Sequence, residues 1–276
     1  MKKPFISIIT TSLDRKELLR KTLKSVLSQS WPAVEQIVVD GVSKDGTVEL
    51  LRDFEEQFAE KRYRFVWVSE PDSGQGEAMN KGLRGARGDF AMILNSDDFL
   101  FRDSVAGFMG VFMSHPEVDV VYGNHETLYE DGRCELIRHR AYSLDDVLRR
   151  GYQIPQSAAV FRRSLIDRVG GFDESLRHVA EHDLFLRMMK SNAKFLYIPL
   201  TLQVTLEHGG RKTTAFGARA WRETKKVNFK YGGSFLSPFY ALYLKNVYFQ
   251  WFWEFMKKSF PRFYIALKRG FYKVFR

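Results

Sequence analysis

The segment that decides the fold runs from residue 90 to residue 98 and reads Phe90-Ala91-Met92-Ile93-Leu94-Asn95-Ser96-Asp97-Asp98. Its apolar first half predicts a buried strand, and polar residues follow where that strand ends. The same arrangement recurs upstream, where strands are predicted at residues 5–10, 36–39 and 64–68 with helical patterns between them. Short apolar strands alternating with helices are typical of βαβ units. The sequence therefore predicts an α/β fold with a mainly parallel sheet.

Polar side chains mark the ends of the predicted strands, at Thr10, Asp40, Asp72 and Asp98. In doubly wound sheets the ligand binds beyond the carboxyl ends of the strands, so we expect these side chains to share one site. Helix capping and turn formation are the alternative reason for such residues at these positions. Asp97 and Asp98 are adjacent carboxylates, which suit a hard divalent cation such as Mg²⁺ or Mn²⁺ bound with waters and substrate phosphates.

Length and composition limit the class of protein. The chain has 276 residues, 45% hydrophobic and 28% charged, which is ordinary for a folded protein. Its one cysteine, Cys134, excludes an intrachain disulfide and a thiolate zinc site, and it favours a reducing, cytoplasmic setting. No apolar stretch of the sequence reaches the ~18 residues that a spanning helix needs. The formal charge of +10 indicates an anionic partner.

The second half of the chain has a less regular pattern. A strand is predicted at residues 118–122, and Asp131-Gly132 predicts a hairpin between strands at 127–129 and 135–137. A helix is predicted after Asp183, where apolar residues recur at helical spacing. Composition changes near residue 232, which predicts a catalytic domain over residues 1–232 and a basic, aromatic tail over residues 233–276.

The tail suits a membrane interface, with aromatic rings at headgroup depth and cations on anionic lipid. From Phe235 to Arg276 it carries eight Lys and Arg residues against one acid, Glu254. Pro261 is expected to divide it into two helices. Packing of the aromatic rings on the catalytic domain or across a dimer is the alternative. Binding of single-stranded nucleic acid ranks lower, because the upstream motifs already account for phosphate chemistry.

A series of short motifs runs through the chain in a fixed order: Ser7-Ile8-Ile9-Thr10-Thr11, Ile37-Val38-Val39-Asp40-Gly41, Ser43-Lys44-Asp45-Gly46-Thr47, Ser69-Glu70-Pro71-Asp72-Ser73-Gly74, Ala78-Met79-Asn80-Lys81-Gly82, Leu94-Asn95-Ser96-Asp97-Asp98, Ile154-Pro155-Gln156-Ser157, Gly170-Gly171-Phe172-Asp173-Glu174-Ser175-Leu176, Asp183-Leu184-Phe185-Leu186-Arg187 and His208-Gly209-Gly210. Their order and spacing resemble family 2 glycosyltransferases of the GT-A fold over about residues 4–215. The resemblance implies a Rossmann-like mixed sheet flanked by helices. It also implies metal-dependent, inverting transfer of a sugar from a nucleoside-diphosphate donor, UDP favoured, in bacterial cell-surface polysaccharide synthesis.

The resemblance further implies roles for individual residues. Those matching donor-nucleotide positions are Thr10, Thr11, Asp40, Asp72 and Asp97. Asp98 matches the metal-binding Asp of the Asp-x-Asp motif. His208 lies where the family often has a loop residue that meets the metal or the diphosphate, and a surface loop histidine is the alternative. Gln156 resembles a position near the acceptor, with a turn residue as the alternative.

The catalytic base is where the chain departs from the family pattern. Relatives commonly have Asp-Tyr-Asp-Leu or Glu-Asp before the Leu-Phe-Leu-Arg helix, whereas this chain has Glu181-His182-Asp183-Leu184. Alignment on Asp183 and Leu184 places Glu181 at the usual base position, where its carboxylate can accept the proton of the acceptor hydroxyl. Asp183 is the rival base, and it also fits a helix cap or a partner for Arg187.

Two other functions compete with this interpretation. A catalytically inactive GT-A-like nucleotide-binding module would account for the altered residue at Glu181. A nucleotide-sugar pyrophosphorylase is disfavoured, because no Gly-rich loop with a catalytic Lys or Arg follows the first strand. The favoured enzyme is expected to be a cytoplasmic protein, peripheral at the inner face of the cell membrane, that acts on a glycan or lipid-linked acceptor. No nucleic-acid partner is expected, and a homo-oligomer stays open.

Overall fold

The computed structural model describes residues 3–151, 153–207 and 218–261. They divide into two compact units. Residues 3–144 and 153–207 form the first unit, and residues 145–151 and 218–261 form the second. The domain boundary predicted at residue 232 stays a prediction. In the structure, the helix at Ala218–Lys230 already belongs to the second unit.

The amino-terminal half of the first unit has the predicted alternation of strands and helices. Its elements are β1 (Ile6–Ser12), α1 (Lys16–Leu27), β2 (Val34–Asp40), α2 (Thr47–Glu60), β3 (Arg64–Ser69), α3 (Gln75–Gly85) and β4 (Phe90–Ile93). β1 pairs in parallel with β2 and with β4, and β2 pairs in parallel with β3. The carboxyl ends of these four strands therefore lie along one edge of the sheet.

The remaining strands make the sheet mixed. The elements are β5 (Asp98–Leu100), α4 (Ser104–Ser114), β6 (Val120–Tyr129), β7 (Cys134–Ile137), α5 (Leu144–Arg150), β8 (Ala159–Arg162), α6 (Ser164–Val169), α7 (Ala180–Lys190) and β9 (Phe195–Glu207). The strand order is β3-β2-β1-β4-β8-β6-β9-β5, with β7 paired to β6. The predicted hairpin is confirmed as β6 and β7, whose turn has Gly132 at a φ of 83°. The exposed Cys134 begins β7.

Apolar residues at helical spacing fix the outer helices on the sheet. Leu19, Leu23 and Val26 of α1 are fully buried against strand residues that include Ile6 and Ile8. α2 contributes its own stripe of leucine and phenylalanine side chains to the same core. This burial of one face of each helix is the main stabilisation of the unit, since apolar surface removed from water contributes about 25 cal/mol per Å².

One buried carboxylate joins the amino ends of the strands, at the edge opposite the predicted site. Glu35 of β2 is fully buried and accepts hydrogen bonds from the Ser7 hydroxyl, from the Arg64 guanidinium and from two backbone N–H groups, of Arg87 at 2.6 Å and Gly88 at 3.1 Å. Gly88 allows this close approach, because a Cβ there would lie 2.6 Å from the backbone nitrogen of Ser7. Glu35 thus ties β1, β2, β3 and the turn before β4 together.

The second unit is helical. Its elements after residue 217 are α8 (Ala218–Lys230), α9 (Pro238–Leu244), a π-helical turn (Lys245–Phe249) and α10 (Gln250–Ser259). Phe239, Tyr243 and Val247 are buried together, with Trp221 and Tyr240 packed against them. Among the described residues, no helix combines the length and the apolar character needed to cross a bilayer. The predicted division of the tail at Pro261 lies at the end of the described residues, so its second half falls outside them.

Candidate active site

The loops that follow β1 and β2 are hydrogen-bonded to each other at the carboxyl edge of the sheet. The backbone N–H of Asp14 donates to Ser43 Oγ at 2.8 Å, and the backbone N–H of Lys44 donates to Asp14 Oδ1 at 2.7 Å. Asp14 and Val42 have left-handed backbones, with φ of 50° and 66°. For a β-branched residue such as Val42 this conformation is strained by roughly 1–3 kcal/mol, and such strain clusters at ligand-binding sites. These two hydrogen-bonded loops, which follow β1 and β2, are here called the rim of the site.

Asp40 and Asp72 lie side by side at this rim. Asp40 is fully buried, and its carboxylate accepts hydrogen bonds from the backbone and hydroxyl of Ser43 and from the hydroxyl of Ser69. A Cβ on Gly41 would lie 3.0 Å from Asp72 Oδ2, so the backbone after Asp40 runs close to the Asp72 carboxylate. The half-buried Asp72 accepts one hydrogen bond from the N–H of Gly74 at 2.9 Å. Their contacts with a donor nucleotide stay predictions.

The end of β1 shows which polar residues approach the rim. Thr10 is fully buried, and its hydroxyl accepts a hydrogen bond from Gln36 Nε2 at 3.0 Å, two residues before the strand ends. Thr11 is half-buried. Ser12 pairs directly with Asp40 at the strand end, and its buried hydroxyl has no hydrogen-bond partner among the described residues. A buried polar atom left unpaired costs free energy, so Ser12 is the additional candidate for a ligand contact. A role for Thr10 and Thr11 in nucleotide binding stays a prediction.

Asp97 is ion-paired with a residue from the loop after β1. Arg15 Nη1 donates to Asp97 Oδ2 at 2.7 Å, and the side chains are 25% and 5% exposed respectively. Arg15 is a site residue that the sequence did not predict. The signal that could have found it is its position, five residues after Thr10 and directly before the first residue of α1. The pair links the segment after β4 to the rim formed by the loops after β1 and β2.

Asp98 is held in place by two neighbouring side chains. It is 1% exposed, and its Oδ2 accepts hydrogen bonds from Asn95 Nδ2 at 2.9 Å and from the Ser157 hydroxyl. Asn95 Oδ1 in turn accepts from Gln75 Nε2, at 3.2 Å, in the first turn of α3. Gln156, the predicted acceptor residue, directly precedes Ser157 and donates from Nε2 to the sulfur of Met79 at 3.3 Å. The structure therefore brings the Gln156 turn to the aspartate pair.

The donor chemistry of this cluster fits a hard divalent cation. Asp98 supplies carboxylate oxygens with Asp97 next to it, and a site that keeps waters and substrate phosphates needs only one or two carboxylates. Among the described residues, no three His, Cys, Asp or Glu side chains form a group that could hold a metal by themselves. The predicted ligand His208 lies outside the described residues. The residues present thus fit a cation shared with a bound diphosphate.

Glu181 and Asp183 occupy different environments in the first turn of α7. Asp183 is fully buried, and its Oδ2 accepts a hydrogen bond from Arg187 Nε at 2.7 Å. Glu181 is half-buried. A carboxylate near a helix N-terminus is stabilised by the helix dipole. Of the two rival bases, Glu181 is therefore the more accessible to a substrate, while Asp183 forms the ion pair with Arg187 that was one of its predicted alternatives.

Two polar side chains fix the connection that leads into α7. Arg187 donates to the carbonyls of Val169 at 2.6 Å, Gly170 at 3.2 Å and Gly171 at 2.6 Å. Asn80 of α3 donates to the carbonyl of Phe172 at 2.9 Å and accepts from its N–H at 2.7 Å. A Cβ on Gly171 would collide with Asn80 Oδ1. The start of α7 is thereby tied to α3, whose first residue Gln75 contacts Asn95.

The strand-end rim and the aspartate pair define the class as a doubly wound α/β protein whose ligand site lies at the carboxyl edge of the sheet. Comparison with known proteins agrees with this class. The model of the family described as glycosyl transferase family 2 matches residues 7–170. The chain belongs to glycosyl transferase family 2, and it is a glycosyltransferase enzyme.

Relatives and solved structures support the same family. An uncharacterised glycosyltransferase of Mycobacterium tuberculosis is 32% identical over 208 residues, 74% of each chain. The putative teichuronic acid biosynthesis glycosyltransferase TuaG of Bacillus subtilis is 38% identical over 103 residues, which cover 37% of this chain and 40% of that protein. Their names agree with the resemblance seen in the sequence.

Two solved structures share the fold. Staphylococcus aureus TarS residues 1–349, in complex with UDP-GlcNAc, has a TM-score of 0.69 at 15% identity and covers 88% of this chain and 72% of that one. The mannosyltransferase PcManGT from Pyrobaculum calidifontis, in complex with GDP-Man and Mn²⁺, has a TM-score of 0.64 at 20% identity and covers 88% and 70%. At these identities the likeness shows the fold, and the predicted GT-A fold is confirmed.

Proposed function

We propose that this enzyme transfers a sugar, with inversion at the anomeric carbon, from a nucleoside-diphosphate donor to a hydroxyl of a membrane-associated glycan or glycolipid. The main support is the placement of Asp98, oriented by Asn95 and Ser157, at the same sheet edge as Asp40 and Asp72. Among the relatives, TuaG is named for teichuronic acid biosynthesis. This favours a role in the synthesis of a cell-surface polysaccharide.

The proposed general base is Glu181. Its half-buried carboxylate would accept the proton of the acceptor hydroxyl as the oxygen attacks the anomeric carbon in line, so no covalent nucleophile is needed. Asp183 is a weaker candidate, because a fully buried carboxylate bonded to Arg187 cannot reach a substrate without breaking that pair. We therefore assign Asp183 a positioning role, in which it orients Arg187 and the loop that precedes α7.

Asp98 would hold the divalent cation, Mn²⁺ or Mg²⁺, with Asp97 beside it on the side of the donor sugar. Such a cation supplies Lewis-acid stabilisation of the charge that develops on the departing diphosphate. Arg15 keeps the neighbouring carboxylate of Asp97 in a fixed position. His208 is retained as a second proposed ligand from the sequence. UDP is the favoured nucleotide. Two structural neighbours suggest which donors to test first: TarS, in complex with UDP-GlcNAc, and PcManGT, in complex with GDP-Man and Mn²⁺.

The donor site is tested by thermal shift with UDP, GDP, dTDP and CDP, each with and without Mn²⁺, on the wild type and on Asp98→Ala. Ligand at ~100 times its dissociation constant adds about 2.7 kcal/mol of stability. We expect one nucleotide to stabilise the wild type only with metal, and Asp98→Ala to lose that effect. If no nucleotide stabilises the wild type, the proposed donor site is wrong.

The base is tested by comparing Glu181→Gln with Asp183→Asn. Loss of a general base lowers the rate by about 10²–10⁴-fold, so Glu181→Gln is expected to lose turnover of the donor sugar while it keeps nucleotide binding. Asp183→Asn is expected to lower the midpoint of thermal unfolding and to keep more turnover. An Asp183→Asn enzyme without turnover beside an active Glu181→Gln enzyme would reverse the assignment.

A membrane-facing surface on the second unit is the remaining part of the proposal. Phe235 is 64% exposed and Leu236 is 91% exposed, in the loop before α9, and Phe255 and Phe260 further along are about half exposed. Lys257 and Lys258 lie beside them, and cations near anionic lipid contribute about 1 kcal/mol each. In contrast, Phe239 and Tyr243 pack inside the second unit and are not available to a membrane.

The membrane surface is tested with the full-length chain and vesicles that contain anionic lipid. The double variant Phe235→Ser and Leu236→Ser should reduce flotation with these vesicles, because both side chains are exposed. The thermal midpoint should fall only slightly, through the loss of the ring contacts of Phe235 with Phe229 and Tyr240. Leu200→Ser, at a 48% exposed leucine of the first unit, serves as the control. Equal flotation of the wild type and the double variant would contradict a membrane role for this loop.

A further inference from the structure

One side of α8 carries a row of cations. Arg219, Arg222, Lys226 and Lys230 are all exposed, and they follow one another at intervals of three or four residues. At about 3.6 residues per turn this spacing places them on the same side of the helix, over a length of about 16 Å. The single acidic residue in the sequence of α8, Glu223, is half-buried. The four cations, here called the basic row, therefore form a surface of one charge.

The other sides of α8 are used inside the second unit. Ala220, Thr224 and Val227 are buried, and Trp221 stacks on Phe239 of α9 with the ring centroids 6.1 Å apart. A helix that inserts into a bilayer does so with its apolar face. In α8 that face packs within the unit, and the face that meets solvent is the basic row. Any contact between α8 and a membrane would therefore be made with lipid headgroups.

The cations of α8 and α5 differ in how their charge is balanced. Arg219, Arg222 and Lys226 form no ion pair with another residue of the described part of the chain. Arg149 and Arg150 of α5, in the same unit, each face an aspartate four residues earlier, at 3.5 Å and 3.6 Å. Like charges three or four residues apart destabilise a helix. An anionic partner that binds along α8 would offset this repulsion.

An exposed apolar loop lies against the carboxyl-terminal turn of α8. Phe235 contacts the ring of Phe229 of α8, with the centroids 4.4 Å apart, and Leu236 beside it is exposed. Phe229 follows Lys226 by three residues and Arg222 by seven, so it borders the basic row on the helix surface. The exposed loop and the basic row are therefore neighbours.

The combination of the basic row and the exposed loop matches a membrane surface better than it matches a soluble polyanion. At a bilayer, cations meet the phosphates of anionic lipids, and exposed apolar side chains enter the boundary with the acyl chains. Single-stranded nucleic acid would use the cations and could stack on Phe235, but it would leave Leu236 in water. Charge complementarity and the position of the loop thus both favour an anionic lipid surface.

We propose that the basic row binds the phosphate groups of anionic lipids, so that α8 lies along the surface of the bilayer while Phe235 and Leu236 insert into it. This inference rests on the membrane-facing surface of the proposed function and deepens it, because it assigns the anionic partner to a helix that the sequence predicted to belong to the catalytic domain. α8 supplies the electrostatic part of the binding, which salt screens, and the loop supplies the apolar part, which salt does not screen.

The experiment measures flotation of the full-length chain over a range of lipid concentrations, with vesicles of phosphatidylcholine alone and with vesicles that also contain phosphatidylglycerol. Binding is measured at about 0.1 M and about 1 M salt, where charges are screened beyond ~10 Å and ~3 Å respectively. The row variant is Arg222→Gln with Lys226→Gln. Its matched control is Lys21→Gln with Lys24→Gln, at two exposed lysines of α1 in the first unit, which loses the same charge. The double serine variant of the exposed loop and a single-stranded oligonucleotide complete the comparison.

At the lower salt concentration, the row variant is expected to bind the anionic vesicles about 25-fold more weakly than the wild type, because each cation near an anionic surface contributes about 5-fold. The control should bind like the wild type. At the higher salt concentration the row variant should also bind like the wild type, because the charges are screened, whereas the loop variant should bind more weakly than the wild type at both concentrations.

Three results would refute the role of α8: equal binding of the row variant and the wild type at the lower salt concentration, an equal loss in the control, or no preference of the wild type for anionic vesicles. A row variant that loses oligonucleotide binding but keeps vesicle binding would assign the row to nucleic acid instead. The thermal shift with nucleotide does not depend on vesicles. A wild type that is stabilised by nucleotide but shows no preference for anionic vesicles would therefore refute the role of α8 and leave the donor site of the proposed function intact.

Discussion

The Glu35→Gln substitution is expected to destabilise the first unit without affecting the site. Glu35 Oε1 accepts from the Ser7 hydroxyl and from the N–H groups of Arg87 and Gly88, and Oε2 accepts from the Arg64 guanidinium. Glutamine has one acceptor oxygen and one NH₂ group. If the amide oxygen of glutamine takes the place of Oε1 and keeps its three hydrogen-bond donors, the NH₂ group must face the Arg64 guanidinium. Two hydrogen-bond donors then point at each other, with no acceptor between them.

The size of this effect follows from burial. Removing one partner of a buried ion pair costs 3–5 kcal/mol, and the 31% exposure of Arg64 allows that side chain to regain water, so we expect ~3 kcal/mol. At roughly 2–4 °C per kcal/mol for a unit of this size, the midpoint of thermal unfolding should fall by about 6–12 °C. Since Glu35 lies at the sheet edge opposite Asp98, nucleotide binding at a temperature below the transition should be unchanged.

The assay is urea unfolding at neutral pH with the wild type, Glu35→Gln and a matched control, Glu55→Gln. Glu55 is exposed and accepts one hydrogen bond from Trp67 Nε1 at 2.8 Å, which an amide oxygen can still accept. The control should stay within about 0.5 kcal/mol of the wild type. A free energy of unfolding for Glu35→Gln that is equally close to the wild type would refute the reasoning about this carboxylate.

Three further outcomes are expected. Chelation of divalent cations with EDTA should abolish turnover of the donor, and added Mn²⁺ should restore it, because the cation offsets the charge on the leaving diphosphate. Full turnover in EDTA would contradict the metal-binding role proposed for Asp98. Asn80→Leu breaks the contacts with Phe172, so kcat should fall by about 10-fold or more while nucleotide affinity changes little. Equal losses of kcat and of nucleotide affinity would show instead that Asn80 acts on the donor site. The pKa of His139 is lowered by folding, so the unfolded chain binds more protons below its ordinary value of 6.5, and the free energy of unfolding should fall as the pH drops through that value. His139→Gln should flatten this dependence in urea unfolding between about pH 7.5 and about pH 5.5.

The strands that could be predicted from the sequence are those whose apolar runs are continuous. β1, β2 and β4 are predicted within a few residues, because both faces of these strands are covered and their sequences are correspondingly apolar. β3 stands at the end of the strand order and is only half-buried, but its β-branched and aromatic residues still predict a strand. β9, the longest strand, was missed. Pro199 interrupts its sequence, and the structure accommodates that proline at an irregularity in the pairing with β6, between Tyr197 and Thr201.

The part of the site that could be predicted from the sequence is the set of carboxylates near the ends of the parallel strands. Asp40 ends β2, Asp72 lies in the loop after β3, and Asp98 lies at the end of the segment that follows β4, so their position at one edge follows largely from the parallel order of those strands. Arg15, Ser157 and Asn80 were not predicted to take part, because each acts through a contact with a residue at least 59 positions away. No local pattern encodes such a contact. For Glu181 and Asp183 the sequence left two alternatives, and burial is the property that separates them.

The single thiol of the chain has a practical consequence. Cys134 lies exposed at the start of β7, and its Sγ donates a hydrogen bond to Glu126 at 3.2 Å, which raises the pKa of the thiol. A smaller thiolate fraction slows alkylation and oxidation, because the thiolate is the reactive form. Covalent attachment of a fluorophore at this one position should therefore proceed better at alkaline pH. The resulting conjugate would carry a single dye at a known position, the start of β7 in the hairpin with β6.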